Sequence, residues 1–202
     1  MLSNATVTML TDALIRTEAL ADRLGWNNPP VLLGLFAHHT PALTAIEVKP
    51  YPIDPKVWHL PDPDHPGQIL PTPLVLGSLA GTLSTASARP QYASWLRRGG
   101  RRFLGAALIC EAYHTAPYSG YRPGDLNAVP AMAETEIRLL TALDVDQRLY
   151  QISRARGHAQ PNATVLHPAP PQHAKTTIGE AMYAIVNLTR DLQSEHHNGA
   201  QP

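Results

Sequence analysis

The sequence predicts an α+β domain, a mainly antiparallel sheet of about five to six strands packed by an N-terminal helix, a middle helix and a C-terminal helix. Three observations carry this expectation. The run from Arg101 to His114 is apolar at most positions, the pattern of an interior strand covered on both faces. Residues 136–157 alternate, turn at Asp144-Val-Asp-Gln147 and alternate again, as a β-hairpin does. Near both ends of the chain, apolar residues recur at three- and four-residue spacing, the mark of a helix with one buried face.

In order along the chain, residues 1–8 read as a flexible tail or a short edge strand through Ala5–Thr8. From Met9 onward, Leu10, Ala13, Leu14, Thr17, Leu20, Ala21 and Leu24 form one stripe, Arg16, Glu18, Asp22 and Arg23 take the remaining positions, and Gly25 ends the helix. Pro29 and Pro30 open a strand over Val31–Ala37, and residues 43–48 alternate as its antiparallel neighbour. Eight prolines fall in the twenty-four residues from Pro50 to Pro73. That density excludes helix and interior sheet, so 50–73 reads as a surface ribbon pinned by Trp58 and Leu60.

Residues 74–87 predict the middle helix, with Tyr92, Trp95 and Leu96 on a short helical turn after it. On the central strand, strict alternation puts Leu104, Ala106, Leu108, Cys110 and Ala112 on one face and Phe103, Ala107 and Ile109 on the other. A two- or four-residue turn in the hairpin puts Tyr150 and Ile152 on the face of Leu139 and Leu143. Residues 115–133 read as a long loop and 163–166 as a short last strand. Thr177-Ile-Gly-Glu180 carries a capping-box signature. The helix that it opens runs to about Leu192, with Ile178, Met182, Ile185, Leu188 and Leu192 on one face, and 193–202 reads as a flexible tail. All 202 residues are read as one domain.

Composition narrows the function classes. The formal net charge is zero and the pI about 7.2, so no global field draws the chain to nucleic acid or membrane. One cysteine rules out an internal disulfide. With no signal-peptide pattern and no run of ~20 apolar residues, a cytoplasmic protein is expected. Three lysines stand against thirteen arginines, a bias that points to a GC-rich genome such as that of an actinobacterium or one of its phages.

The most suggestive local feature is Arg97-Arg98-Gly99-Gly100-Arg101-Arg102. Arginines beside backbone that glycine leaves exposed suit phosphate or carboxylate ligands. With Arg89, the segment 66–110 holds five positive charges and no acid. Tyr92 and Trp95 nearby are the residue types that stack on bases. Glu111 interrupts an apolar strand and either reaches water or needs an arginine of the following hairpin, with Arg154 as the named partner. His59, Asp62, Asp64 and His65 are ligand types, but the intervening prolines hold them extended, and no metal site is predicted from them or from the His38-His39 and His196-His197 pairs. Cys110 and His114 are four residues apart, about 13 Å on a strand, too far for a nucleophile–base pair.

No nucleophile elbow, phosphate-binding loop, dinucleotide fingerprint or zinc-protease helix is present. The leading expectation is a non-enzymatic accessory protein binding a protein or nucleic-acid partner, without a cofactor. One alternative is a small hydrolase or nucleotide-handling enzyme using Glu111 and nearby arginines in a pocket. Another is a structural or assembly subunit of a phage particle that forms homo-oligomers.

Overall fold

In the computed structural model, residues 1–39, 44–116, 133–169 and 177–198 are described. Helix α1 spans Asn4–Leu24, strands β1 and β2 span Val31–His39 and Thr44–Pro50, and helices α2 and α3 span Thr72–Leu83 and Arg89–Arg97. Strands β3 (Arg102–Ala116), β4 (Ala133–Asp144), β5 (Leu149–Ala155) and β6 (Asn162–Leu166) follow, and helix α4 (Thr177–Asn198) closes the order. The six strands form one antiparallel sheet in the order β2-β1-β3-β4-β5-β6. This is the α+β architecture expected, with two helices rather than one in the middle of the chain.

Each face of the sheet carries its own core. Leu10 and Leu14 of α1 pack on Leu33, Leu35, Leu104, Ala107, Ile109, Leu140, Ala142, Tyr150 and Ile152. The opposite core joins Leu32, Phe36, Phe103, Ala106, Leu108, Leu143 and Leu149 to apolar residues of α2, α3 and α4. Residues buried on both sides explain why β1 and β3 read as continuous apolar runs.

Both chain ends are more ordered than the sequence suggests. Residues 4–8 are helical, not a tail or a strand: the Ser3 side chain caps α1 by accepting from the Thr6 N–H at 3.2 Å. The Thr8 and Thr11 hydroxyls bond back to Asn4 and Val7 carbonyls at 3.2 and 2.9 Å. Gly25, at φ 93°, ends the helix as expected. At the other end α4 runs on through Asn198, and Gln193 is a working contact rather than the start of a tail. Most of the expected 115–133 loop and residues 199–202 lie outside the described residues.

Two single-residue offsets correct the face assignments. Along β3, Gly105 pairs with Leu35 but Phe103 pairs with Phe36, so Leu104 is the extra residue of a β-bulge. The bulge puts Phe103 on the face of Ala106 and Leu108, and Leu104 on that of Ala107 and Ile109. Its backbone groups find partners elsewhere. The Phe103 N–H donates to Gln193 Oε1 at 3.0 Å, and Gln193 Nε2 donates to the Arg101 carbonyl at 3.0 Å. The Leu104 carbonyl accepts from the Val145 N–H at 2.9 Å.

The second offset is in the hairpin. Asp144 N–H donates to the Arg148 carbonyl at 3.1 Å, enclosing the three residues 145–147, with Gln147 at φ 65°. This is the three-residue hairpin, a tight turn followed by a left-handed residue. An odd turn pairs Ala142 with Tyr150 and Leu140 with Ile152. Tyr150 and Ile152 therefore face α1, away from Leu139 and Leu143. The Asp144 carboxylate sets this turn by accepting from the Asp146 and Arg148 N–H groups at 2.8 and 2.9 Å and from the Tyr150 hydroxyl at 2.9 Å. Burial and the Asp144 charge both push the Tyr150 hydroxyl well above its ordinary pKa, so it stays a donor.

The proline-rich segment forms a short 3₁₀ turn over Pro55–His59 and a bridge between Pro61 and Ile69. Trp58 is buried and pins it, whereas Leu60 is exposed. Among the described residues, no helix is long and apolar enough to cross a membrane.

Candidate functional site

Two clusters of charge stand out, one buried and one exposed. The buried one begins as a row across three neighbouring strands: Glu111 of β3 pairs in register with Arg138 of β4, which pairs with Arg154 of β5. Above that row, α1 continues its inward stripe Leu10, Leu14 with Glu18, four residues on, and then Asp22. Glu18 is completely buried. Arg154 grips it with Nε at 2.8 Å from Oε1 and Nη2 at 2.7 Å from Oε2, a two-pronged contact that a lysine could not copy. Hydrogen bonding to Glu18 holds the Arg154 guanidinium above its ordinary pKa, against the burial that opposes it. Arg138 reaches Asp22 at 3.2 Å, Glu111 at 3.2 Å and the Gly25 carbonyl, with its guanidinium 4.4 Å from the centre of the Trp26 ring.

Glu111 thus has its hairpin arginine, but the partner is Arg138. Arg154 serves Glu18, which lies among the polar positions of α1 in the sequence reading. The i, i+4 spacing Leu10, Leu14, Glu18 is the signal that would have placed Glu18 inside.

A cleft of about 220 Å³ borders this row, with Ala21, Leu24, Pro29, Val31 and Ile109 beside Glu111 and Arg138. It has the shape of a small-molecule site, yet Glu111 has little left to offer one. Its Oε1 accepts from Arg138, and its Oε2 accepts from the Asn27 N–H at 2.6 Å. A general base needs an oxygen turned to substrate. The row reads as a clamp that fixes the end of α1 on the sheet.

The exposed cluster is the arginine run. Helix α3 ends at Arg97, Arg98–Gly100 make one 3₁₀ turn with Gly100 at φ 61°, and β3 begins at Arg102. The turn splits the arginines by role. Arg101 points inward: Nη1 donates to Glu47 at 3.1 Å, Nη2 donates to the Trp95 carbonyl at 2.9 Å, and the guanidinium lies 4.2 Å from the Phe36 ring centre. Arg97, Arg98 and Arg102 are exposed. A shallow depression of about 370 Å³ opens beside Arg98, lined also by His38, Glu47, Lys49, Trp95 and Arg101. Glu47, the only acid of that lining among the described residues, is held below its ordinary pKa chiefly by hydrogen bonding to Lys49, with Arg101 adding to it against partial burial.

Tyr92 and Trp95 do not serve as a base-stacking platform. Both are buried, Trp95 with its ring 5.5 Å from that of Tyr92, 4.8 Å from that of Tyr51 and 5.2 Å from that of Phe36. The Tyr92 and Tyr51 hydroxyls both meet Thr189 of α4, and burial pushes the Tyr51 hydroxyl up to about 12.

The remaining candidates resolve simply. Asp62 accepts from His65 Nδ1 at 3.0 Å and from the Asp64 N–H at 2.9 Å, a local turn. No group of three or more metal-binding side chains occurs among the described residues. The side chains of His39, His114, His196 and His197 lie outside the described residues. Because β3 is a strand, His114 sits two strand repeats beyond Cys110, which removes the helical arrangement that would join them. Burial, with the Glu111 charge adding to it, pushes the Cys110 thiol up to about 11. Alkylation by iodoacetamide at pH 8 should therefore run about a hundredfold slower than for a free cysteine, because the thiolate is the nucleophile. A mass-spectrometric time course checks this, and a rate equal to that of a free cysteine would contradict it.

No protein-family model, curated protein or solved structure matches this chain.

Proposed function

We propose that this chain is a non-enzymatic binding protein that docks an acidic segment of a partner protein at the corner formed by Arg97, Arg98, Arg102 and Lys49. The observation that supports it is the split at the turn: Arg101 is buried in the fold, while Arg97, Arg98 and Arg102 are exposed and Arg98 lines an open depression with Lys49. Guanidiniums in that setting suit carboxylates and phosphates alike. Carboxylates are favoured because the nearby aromatic rings are buried, and single-stranded nucleic acid usually gains much of its affinity by stacking on exposed ones. An enzymatic reading through Glu111 is the weaker one, since both of its oxygens already have donors.

The test is fluorescence anisotropy with labelled poly-glutamate and, in parallel, a labelled single-stranded DNA. The Arg97→Ser/Arg98→Ser/Arg102→Ser variant should lose roughly tenfold in poly-glutamate affinity, since exposed pairs contribute ~0.2–1 kcal/mol each. Arg101 is left in place because its removal would disturb the core. Equal affinity in the variant overturns the reading, and tighter binding of DNA than of poly-glutamate moves it to nucleic acid.

A further inference from the structure

A second cavity lies on the opposite face of the sheet from α1, between the β4–β5 hairpin and the first turns of α4. Its floor is made by two successive cross-strand pairs on one face, Leu143 with Leu149 and Thr141 with Gln151, together with Leu139. Its roof is Ile178, Gly179, Met182 and Tyr183 of α4, and Ala169 closes one side. The volume is about 220 Å³, more than the ~150 Å³ that accommodates a benzene ring in a protein core.

The lining is apolar except in one respect. Thr141 and Gln151 are cross-strand neighbours in the floor, and Tyr183 is in the roof. Among the described residues, none of these side chains has a hydrogen-bond partner in the protein. All three are half-buried, whereas the fully buried Asp144 and Glu18 carboxylates are matched within the protein. An apolar chamber with a few convergent, unspent polar groups is the anatomy of a small-molecule site: area supplies affinity and the polar groups fix orientation. At Glu111, by contrast, the polar atoms are consumed within the protein.

We propose that this cavity binds a compact, mainly apolar molecule, about the size of a substituted benzene ring or a short acyl chain, that carries one hydroxyl or amide-type group. Its apolar body meets Leu139, Leu149, Ile178 and Met182, and its polar group is held by the Thr141–Gln151 pair. Among the described residues no charged side chain lines the cavity, which favours an uncharged ligand.

The matched probes are p-cresol and p-xylene, which differ by a hydroxyl in place of a methyl group. Both are titrated into the full chain labelled at methionine methyl groups. Saturable shifts of the Met182 methyl signal and contacts from probe to that methyl are expected. In the Thr141→Val/Gln151→Leu variant, the affinity ratio of p-cresol to p-xylene should fall about tenfold, the scale of one hydrogen bond. Gly179→Leu, which places a side chain in the cavity and favours the helix, should abolish binding of both. The proposal is overturned if neither probe perturbs Met182 in the unmodified chain, if the ratio is unchanged in the double variant, or if a folded Gly179→Leu chain still binds. Should that chain not fold, the probe-to-Met182 contacts in the unmodified protein decide. None of these readouts depends on the arginine corner.

Discussion

Glu18→Ala should lower the stability of this protein by about 3–5 kcal/mol, the cost of removing one partner from a buried ion pair. The loss comes from what stays behind. Arg154 keeps two backbone acceptors, His158 and Ala159, but its charge is then buried against only the more distant Asp22 carboxylate at 3.6 Å. Arg138 also loses the Glu18 oxygen at 3.6 Å. Against a typical total of 5–15 kcal/mol, such a loss places the chain near the edge of folding. Urea titration followed by circular dichroism measures it. The double variant Glu18→Leu/Arg154→Met should lose less than Glu18→Ala alone, because it leaves no uncompensated buried charge at position 154, although the His158 and Ala159 carbonyls lose their donor. The Arg89–Glu195 pair is the control: its partners are 42 % and 59 % exposed, and Arg89→Ala should change stability by less than about 1 kcal/mol. A loss below 1 kcal/mol for Glu18→Ala would mean that the buried Glu18–Arg154 pair contributes little to holding α1 on the sheet.

The elements of this fold were legible wherever a local pattern decides them. Apolar runs bounded by turn residues placed β1, β3 and the hairpin, and the stripe ending at Gly25 placed α1. Legibility failed where a distant residue decides. No property of Phe103-Leu104-Gly105 announces a bulge, since the groups that accommodate it are Gln193 of α4 and Val145 of the hairpin turn. The hairpin turn could be located but not counted. Its three-residue form depends on the Asp144 side chain gathering two N–H groups and the Tyr150 hydroxyl, and one residue more or less exchanges the faces of β5.

For the candidate site the arginine cluster was visible as composition, but its division of labour was not. Arg101 differs from Arg98 and Arg102 only by where Gly100 turns the chain, which decides who meets Phe36 and Glu47. The Thr141–Gln151 floor was invisible for a related reason. Two ordinary polar residues on alternating strands become neighbours only once the register is known.

Gly105→Ala should be the other severe lesion, costing about 3 kcal/mol or more, the upper range for forcing atoms into a packed interior. A Cβ at Gly105 would stand 2.8 Å from Asp144 Cα and closer still to the Leu143 carbonyl oxygen. Both are backbone, so no rotamer change relieves the clash. The strands would have to part where Gly105 pairs with Asp144, next to the bulge and at the residue whose carboxylate sets the hairpin turn. Damage there should spread to β5, so thermal unfolding of Gly105→Ala should be lowered, and amide exchange should quicken from Asp144 through Tyr150 as well as at β3. Gly77→Ala is the counterpart. Gly77 lies in α2 with open space at its Cβ position, and alanine there should stabilise the chain by ~0.5–1 kcal/mol. If Gly105→Ala proved as harmless as Gly77→Ala, β3 and β4 would not be in the tight register that the bulge and the turn jointly require.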